Sequence, residues 1–103
     1  MSEPKIEHWD EAKDGVLNAE NMTKKLQKEG YSCTQYTFTA GTTFPDHSHN
    51  VSKKDAIISG EFQFTIYGKT IVLHPGDTLE VPKGTVHSAE VVGKDSVVFI
   101  DAS

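Results

Sequence analysis

Histidines are the residues whose type and spacing could do chemistry here. His47-Ser48-His49 sets two imidazoles two residues apart. On an extended strand, residues at that spacing point to the same side, so both rings can face one interior point. The loop Ala40 to Asp46 delivers them at a strand start. A third ring, His87, follows the turn Pro82-Lys83-Gly84 and enters another strand. Three imidazoles arriving this way make a facial set with open positions. Imidazole nitrogen suits a divalent transition metal such as Fe, Mn, Ni, Cu or Zn, and open positions imply chemistry or ligand exchange rather than a closed structural site. His47, His49 and His87 are therefore the expected metal ligands. The competing reading keeps them as the polar lining of a metal-free cavity. His74 precedes a Pro-Gly turn and is expected at the surface, and His8 lies in the N-terminal arm.

The elements that must hold these rings are legible in the local texture. Glu61-Phe62-Gln63-Phe64-Thr65-Ile66-Tyr67 alternates, which puts Phe62, Phe64 and Ile66 on one face of a strand. Strands are expected at 31–39, 54–59, 61–67, 70–73, 78–81, 86–92 and 96–101, with Gly68-Lys69 as a hairpin connection. His74-Pro75-Gly76-Asp77 and Pro82-Lys83-Gly84-Thr85 are turns, and Ser59-Gly60-Glu61 requires a glycine at positive φ. Many short strands at regular spacing predict an all-β antiparallel sandwich or barrel. Before Gly30 the pattern differs. Residues 18–30 read as a short helix, capped by Asn18 or Asn21, with Met22 and Leu26 on one face and Gly30 as its stop. Ahead of it, Ile6, Trp9, Val16 and Leu17 pin an otherwise irregular arm, with Trp9 the residue expected to be buried. Residues 1–30 thus form an arm and helix, and 31–103 the barrel.

Charge narrows the partners. The 103 residues carry ten basic and fifteen acidic side chains, a formal −5, and every basic residue is Lys. A nucleic-acid binder shows net positive charge or a basic stripe, and the missing Arg removes the forked guanidinium that grips phosphate. Nucleic acid and anionic membranes are poor partners for such a chain. There is no run of apolar residues long enough to span a bilayer. Residues Met1 to Glu7 lack the apolar stretch of a secretory leader. The single cysteine, Cys33, is expected to be a small buried hydrophobe, and a reducing cytoplasmic setting is expected.

Two spaced motifs resemble a known family. Gly41, five residues, His47, one residue, His49, and then Gly60 resembles the first motif of the cupin superfamily. Gly76, five residues, Pro82, one residue, Gly84, two residues, His87 resembles the second, and fifteen residues separate Gly60 from Gly76. The resemblance covers residues 31 to 101 and is closest to small stand-alone cupins. It implies a double-stranded β-helix, or jelly-roll, barrel with a short N-terminal helix in this case, often dimeric, and in many members holding a metal. With so compact a barrel, the arm or a second copy is expected to close the cavity, hence a homodimer.

The chain departs from that pattern where the family carries a Glu ligand. Lys53 and Lys54 stand at those positions, and a lysine ammonium has no lone pair for a metal. Asp55 is the available substitute. Lys53 and Asp55 lie two apart, so both face the cavity or both face solvent. Inward, Asp55 could reach the metal or act as a general base, and Lys53 could pair with it or hold a substrate carboxylate. Outward, the site is a bare three-histidine centre, which the cost of burying an unpaired lysine favours. Val91, where the family has a polar residue, implies a plain apolar wall. Tyr36 and Tyr67 are minor candidates for the cavity mouth, and Glu61 and Glu90 are expected to be solvated. The implied function is binding of, or action on, a small oxygen-chelating molecule, in the manner of a metal-dependent dioxygenase or isomerase. The alternative is a metal-free binding or structural module.

Overall fold

Alternation in the Phe62–Ile66 run is realised in full. All three apolar side chains are buried to 2% exposure or less, while Gln63 and Thr65 face outward. This strand belongs to a computed structural model that describes residues 3–103; Met1 and Ser2, where the expected arm begins, lie outside the described residues. In chain order the elements are β1 (Lys5–His8), α1 (Glu11–Asp14), α2 (Ala19–Lys28), β2 (Cys33–Phe38), β3 (Thr43–His47), β4 (Lys53–Ser59), β5 (Glu61–Ile66), β6 (Lys69–Leu73), β7 (Asp77–Val81), β8 (His87–Val92) and β9 (Val97–Ala102). The strands form two antiparallel sheets, β1-β7-β4-β9-β2 and β3-β8-β5-β6. They close face to face into the expected jelly roll.

The main core lies between the sheets. Ile57, Phe62, Phe64, Leu79, Val91, Val97 and Phe99 meet there. A second cluster lies on the other face of the five-stranded sheet, where Met22 and Leu26 of α2 cover Ala56, Ile100 and Ala102. α2 begins as the sequence requires: the Asn18 side chain accepts the Asn21 N–H at 2.8 Å, and Gly30 turns the chain at φ +97°. Cys33 packs at the margin of this cluster and is partly buried. Burial also pushes its thiol above the ordinary range.

Two strands escape the sequence reading. β1 was expected to be irregular, yet it pairs with β7 along Lys5–His8. Its outward charges hide the strand, because β1 is an edge and keeps only Ile6 against the core. Trp9 then donates its backbone N–H to Gly76 at 2.8 Å and its indole N–H to Gly15 at 2.8 Å. It is partly rather than fully buried, with the Lys25 ammonium over its ring. Residues 40–46 were expected as a loop that delivers the histidines at a strand start, yet Thr43–His47 form β3 with Pro45 inside it. It is also an edge strand, where a missing N–H costs no ladder bond. The β5–β6 hairpin differs by one residue from expectation. Ile66 pairs with Lys69, so the two loop residues are Tyr67 (φ +55°) and Gly68 (φ +73°). Both positive values are those of a type I′ turn, whose twist suits a two-residue hairpin.

Candidate metal centre and the cavity behind it

The histidines are brought together by a cross-strand pair and a bulge. His47, the last residue of β3, is the register partner of His87, the first residue of β8. Between Phe44 and His47 the register shifts by one residue. A bulge at that point re-aims the following side chain, so Pro45 and Asp46 turn His47 toward the interior. His49 lies beyond the end of β3, so strand alternation is not what aims it. Its carbonyl instead accepts the Gly84 N–H at 2.9 Å, and the neighbouring Ser52 hydroxyl accepts the Lys83 N–H at 3.0 Å. These two bonds clasp the loop after β3 to the turn before β8.

Ring centroids lie 4.3 Å apart for His47 and His87, 4.8 Å for His47 and His49, and 5.2 Å for His49 and His87. One ring nitrogen from each lies within 4.8 Å of the other two. Among the described residues, neither Asp55 nor any other carboxylate joins that group. Two hydrogen bonds orient the donors. His47 Nδ1 is 2.7 Å from the Pro45 carbonyl, and His87 Nδ1 is 3.0 Å from the Thr85 carbonyl. A carbonyl can only accept, so each Nδ1 carries its proton and leaves Nε2 as the lone pair. That is the outer-shell arrangement that fixes the tautomer of a ligating histidine.

Burial also favours the ligating form. His87 is held below the ordinary histidine range by burial, with the His47 and Lys53 charges adding to the effect against the Thr85 carbonyl and Asp46. His49 is lowered by burial first, then by Lys53, His47 and His87, with Asp101 opposing. Neutral imidazole is the form that binds metal. The chemistry of the donor set, three converging imidazoles, therefore suits a divalent transition ion.

The rings open into a cavity of about 300 Å³ between the two sheets. Phe44, Phe62 and Phe64 line it from the four-stranded sheet, and Tyr36, Phe38 and Phe99 from the five-stranded one. Tyr36 is 40% exposed and so stands at the mouth, whereas Tyr67 packs on the core. Val91 is a buried core residue, and Ala89 is the β8 side chain that reaches the cavity. No described residue of the first thirty lines it. The N-terminal segment instead covers the outer face and edge of the five-stranded sheet, so it does not close the cavity of its own chain.

Lys53 and Asp55 both face the cavity, contrary to the favoured outward orientation. The objection to a buried lysine is answered by a partner that sequence reasoning missed. Lys53 Nζ donates to Asp101 Oδ2 at 3.0 Å, with both side chains about one-fifth exposed. Asp101 Oδ1 is buried without a partner. Asp55, the register neighbour of Asp101, is 8% exposed. Its carboxyl is pushed up to about 7, by burial first and then by the Asp101 charge, against the pull of Lys53. The cavity thus has a histidine wall on one sheet and a carboxylate–lysine wall on the other. Lys54 points the opposite way, to Glu7 at 3.1 Å and Glu29 at 2.9 Å, and fastens β1 and α2 to β4. The remaining candidates are peripheral. His8 pairs with Asp77 at 2.7 Å, and His74 lies 3.4 Å from Glu61, all away from the cavity. Glu90 is exposed. No helix among the described residues is long and apolar enough to cross a membrane.

Known proteins share this architecture. A cupin superfamily protein from Desulfitobacterium hafniense superposes with a TM-score of 0.63 at 22% identity, over 71% of this chain and 65% of that one. KdgF from a Halomonas species gives 0.62 at 27% identity, over 70% of this chain and 66% of that one. Germin-like protein subfamily 1 member 4 of Arabidopsis thaliana is 28% identical over 102 residues, covering 88% of this chain but only 45% of the plant protein. The chain thus spans less than half the length of that relative and slightly under two thirds of the two solved structures. Residues 34–103 match the model of the Cupin domain (Cupin_2). With the barrel, its two glycine-turn motifs and its inward histidines all in place, this chain belongs to the cupin family.

Proposed function

We propose that this protein binds a divalent transition metal through His47, His49 and His87, and with it a small molecule that offers oxygen donors. The observation that carries this reading is the preset tautomer of His47 and His87, whose Nδ1–H groups are committed to Pro45 and Thr85 while both rings converge with His49. Three neutral nitrogens leave coordination positions for an exchangeable ligand. An ion bound there would polarise a ligand oxygen as a Lewis acid or, if it were iron, activate dioxygen.

The chain's own residues set what can enter. A cavity of about 300 Å³ is at the small end for ligand sites, which suits a molecule well below drug size. The phenylalanine walls exclude water and favour flat or apolar edges. Lys53 is already neutralised by Asp101, so among the described residues lining the cavity no spare lysine is left to hold a substrate carboxylate. Asp55 supplies an acceptor and a proton on the side facing the histidines.

The test is metal analysis of protein purified without an affinity tag, followed by titration of the stripped protein with cobalt(II) and zinc(II). One ion per chain, with the visible spectrum of nitrogen-coordinated cobalt, is expected. Binding that survives in both His47→Ala and His87→Ala would refute the site.

A further inference from the structure

The inner face of β4 carries Lys53, Asp55 and Ile57 in turn, so alternation sends the Asp55 side chain between the sheets beside the core residue Ile57. There it lines the cavity and is more than nine-tenths buried. No described residue gives its carboxyl a hydrogen bond, because Lys53, two residues away on the same face, bonds to Asp101 Oδ2 instead. Asp101 Oδ1 is the only polar side-chain atom among the described residues that is both sealed from solvent and unpartnered. The two Asp55 oxygens, also unpartnered, therefore keep some exposed surface, and the space they open on is the cavity.

A carboxylate this deeply buried is normally paired. On this wall two carboxyls share one lysine, which leaves the wall one cation short. The deficit lies beside a belt of aromatic rings. Phe99 occupies the next row, as the register partner of Ile57, and its ring centroid is 5.7 Å from that of Tyr36 and 4.9 Å from that of Phe62. All three rings line the cavity. Aromatic faces attract a cation, most strongly where water is excluded.

We propose that Asp55 is the receptor for an ammonium group, so that the small molecule held at the histidines is an organic amine, with its oxygen donors at the metal and its charged nitrogen against Asp55 and the aromatic belt. The oxygen end of this assignment rests on the proposed metal site; the ammonium end does not. An alcohol at Asp55 would leave the wall one cation short and gain no attraction to the ring faces. A carboxylate would meet Asp55 as a like charge. In the empty protein, burial and the Asp101 charge hold the Asp55 carboxyl up at about 7 against the pull of Lys53. An ammonium partner favours the ionised form, so its arrival releases a proton near neutral pH. The charged groups facing Asp55 are Lys53 on its own strand and Asp101 on β9, while β7 presents apolar Leu79 beside it. The three histidines line the same cavity from the other sheet.

The experiment titrates zinc-loaded and zinc-free protein, under nitrogen, with dopamine, catechol and dihydrocaffeate. These probes share the oxygen end and differ at the other, which is an ammonium, nothing or a carboxylate. With zinc, dopamine is expected to bind at least about tenfold more tightly than catechol, and dihydrocaffeate more weakly than either. Asp55→Asn should bring dopamine down to the catechol level while zinc stays bound. A second readout needs neither zinc nor a variant, and decides the matter if Asp55→Asn does not fold. Phenethylammonium should move the carbon-13 titration of Asp55 to lower pH in metal-free wild type, and phenethyl alcohol should not. Equal affinity of zinc-loaded protein for dopamine and catechol overturns the ammonium site and leaves the histidine site standing. A shift of Asp55 by phenethylammonium in protein that binds no zinc overturns the histidine site and leaves the ammonium site. A dopamine preference that persists in Asp55→Asn, or an Asp55 titration that phenethylammonium does not move, overturns the proposal.

Discussion

Asp55 lies directly opposite Asp101 in the β4–β9 register, and Lys53 bonds to Asp101 alone. Two carboxyls therefore compete for one cation within a wall of the cavity. Burial and the neighbouring charge together disfavour ionised Asp55, so this residue carries strain that the folded protein feels at neutral pH and above.

The sign of that strain predicts a pH dependence. The Asp55 carboxyl titrates at 3.8 when unperturbed and near 7 in the folded protein. Below the lower value both states are protonated and its contribution is fully present. Between the two values the folded state alone holds the proton, so stability falls as pH rises through that window and levels off above it. Asp55→Asn removes the dependence. Urea denaturation of metal-free protein should show the variant gaining a few kcal/mol over wild type at pH 8 and nearly nothing at pH 4, on the scale of about 1.4 kcal/mol per pKa unit. Equal stability differences at the two pH values would refute the assignment.

The lysine should matter more than its partner. Lys53→Met leaves two carboxyls facing each other with no cation, while Asp101→Asn leaves Lys53 beside Asp55. Breaking a buried pair costs about 3–5 kcal/mol. Because both side chains remain about one-fifth exposed, about 1–3 kcal/mol is expected for Lys53→Met. Asp101→Asn should cost less, and the double variant Lys53→Met/Asp101→Leu less than Lys53→Met alone. A double-mutant cycle at pH 8 measures these values. A larger loss in Asp101→Asn than in Lys53→Met would contradict the pairing.

Metal affinity should depend on all three rings. Removing an outer-shell partner typically weakens a site about 10- to 100-fold. Loss of a ligand should cost at least that, so His47→Ala, His49→Ala and His87→Ala are each expected to bind zinc about a hundredfold more weakly or worse. Competition against a chromogenic chelator gives the numbers. Unchanged affinity in His49→Ala would reduce the site to the β3–β8 pair. Chelator treatment of wild type should release the ion with the barrel intact, since the core between the sheets holds the fold without it.

Gly60 tests the turn that ends the first motif. It sits at φ +80°, and a Cβ there would meet the Ser96 carbonyl oxygen and lie 2.9 Å from Val97 Cα. Both obstacles are backbone, so no side chain can yield. Left-handed strain alone costs about 1–2 kcal/mol, and the clash adds to it. Gly60→Ala should destabilise by more than about 2 kcal/mol in denaturant melts, whereas Gly41→Ala, with open space around its Cβ position, should lose only the conformational term.

By itself the sequence determined the local devices: the alternating β5 strand, the glycine turns, the Asn18-capped helix and the histidines as the convergent group. Each is written in a few adjacent residues, and local sterics enforce it. Edge strands were less legible, because β1 and β3 bury one face only in part and their charges and Pro45 look like loop chemistry. The direction of Lys53 and Asp55 was decided by the tertiary structure alone. On β4 the alternation Lys53-Asp55-Ile57 faces the main core while Ala56 and Ile58 face α2. With apolar residues on both sides, the period of two gives no preferred inside. Asp101 was hidden for the same reason, since β9 is also covered on both faces. Its partnership with Lys53 joins residues far apart in the chain, and only strand register, set by the packing of α2 and the closure of the barrel, brings a lysine and two carboxyls to the wall opposite the histidines.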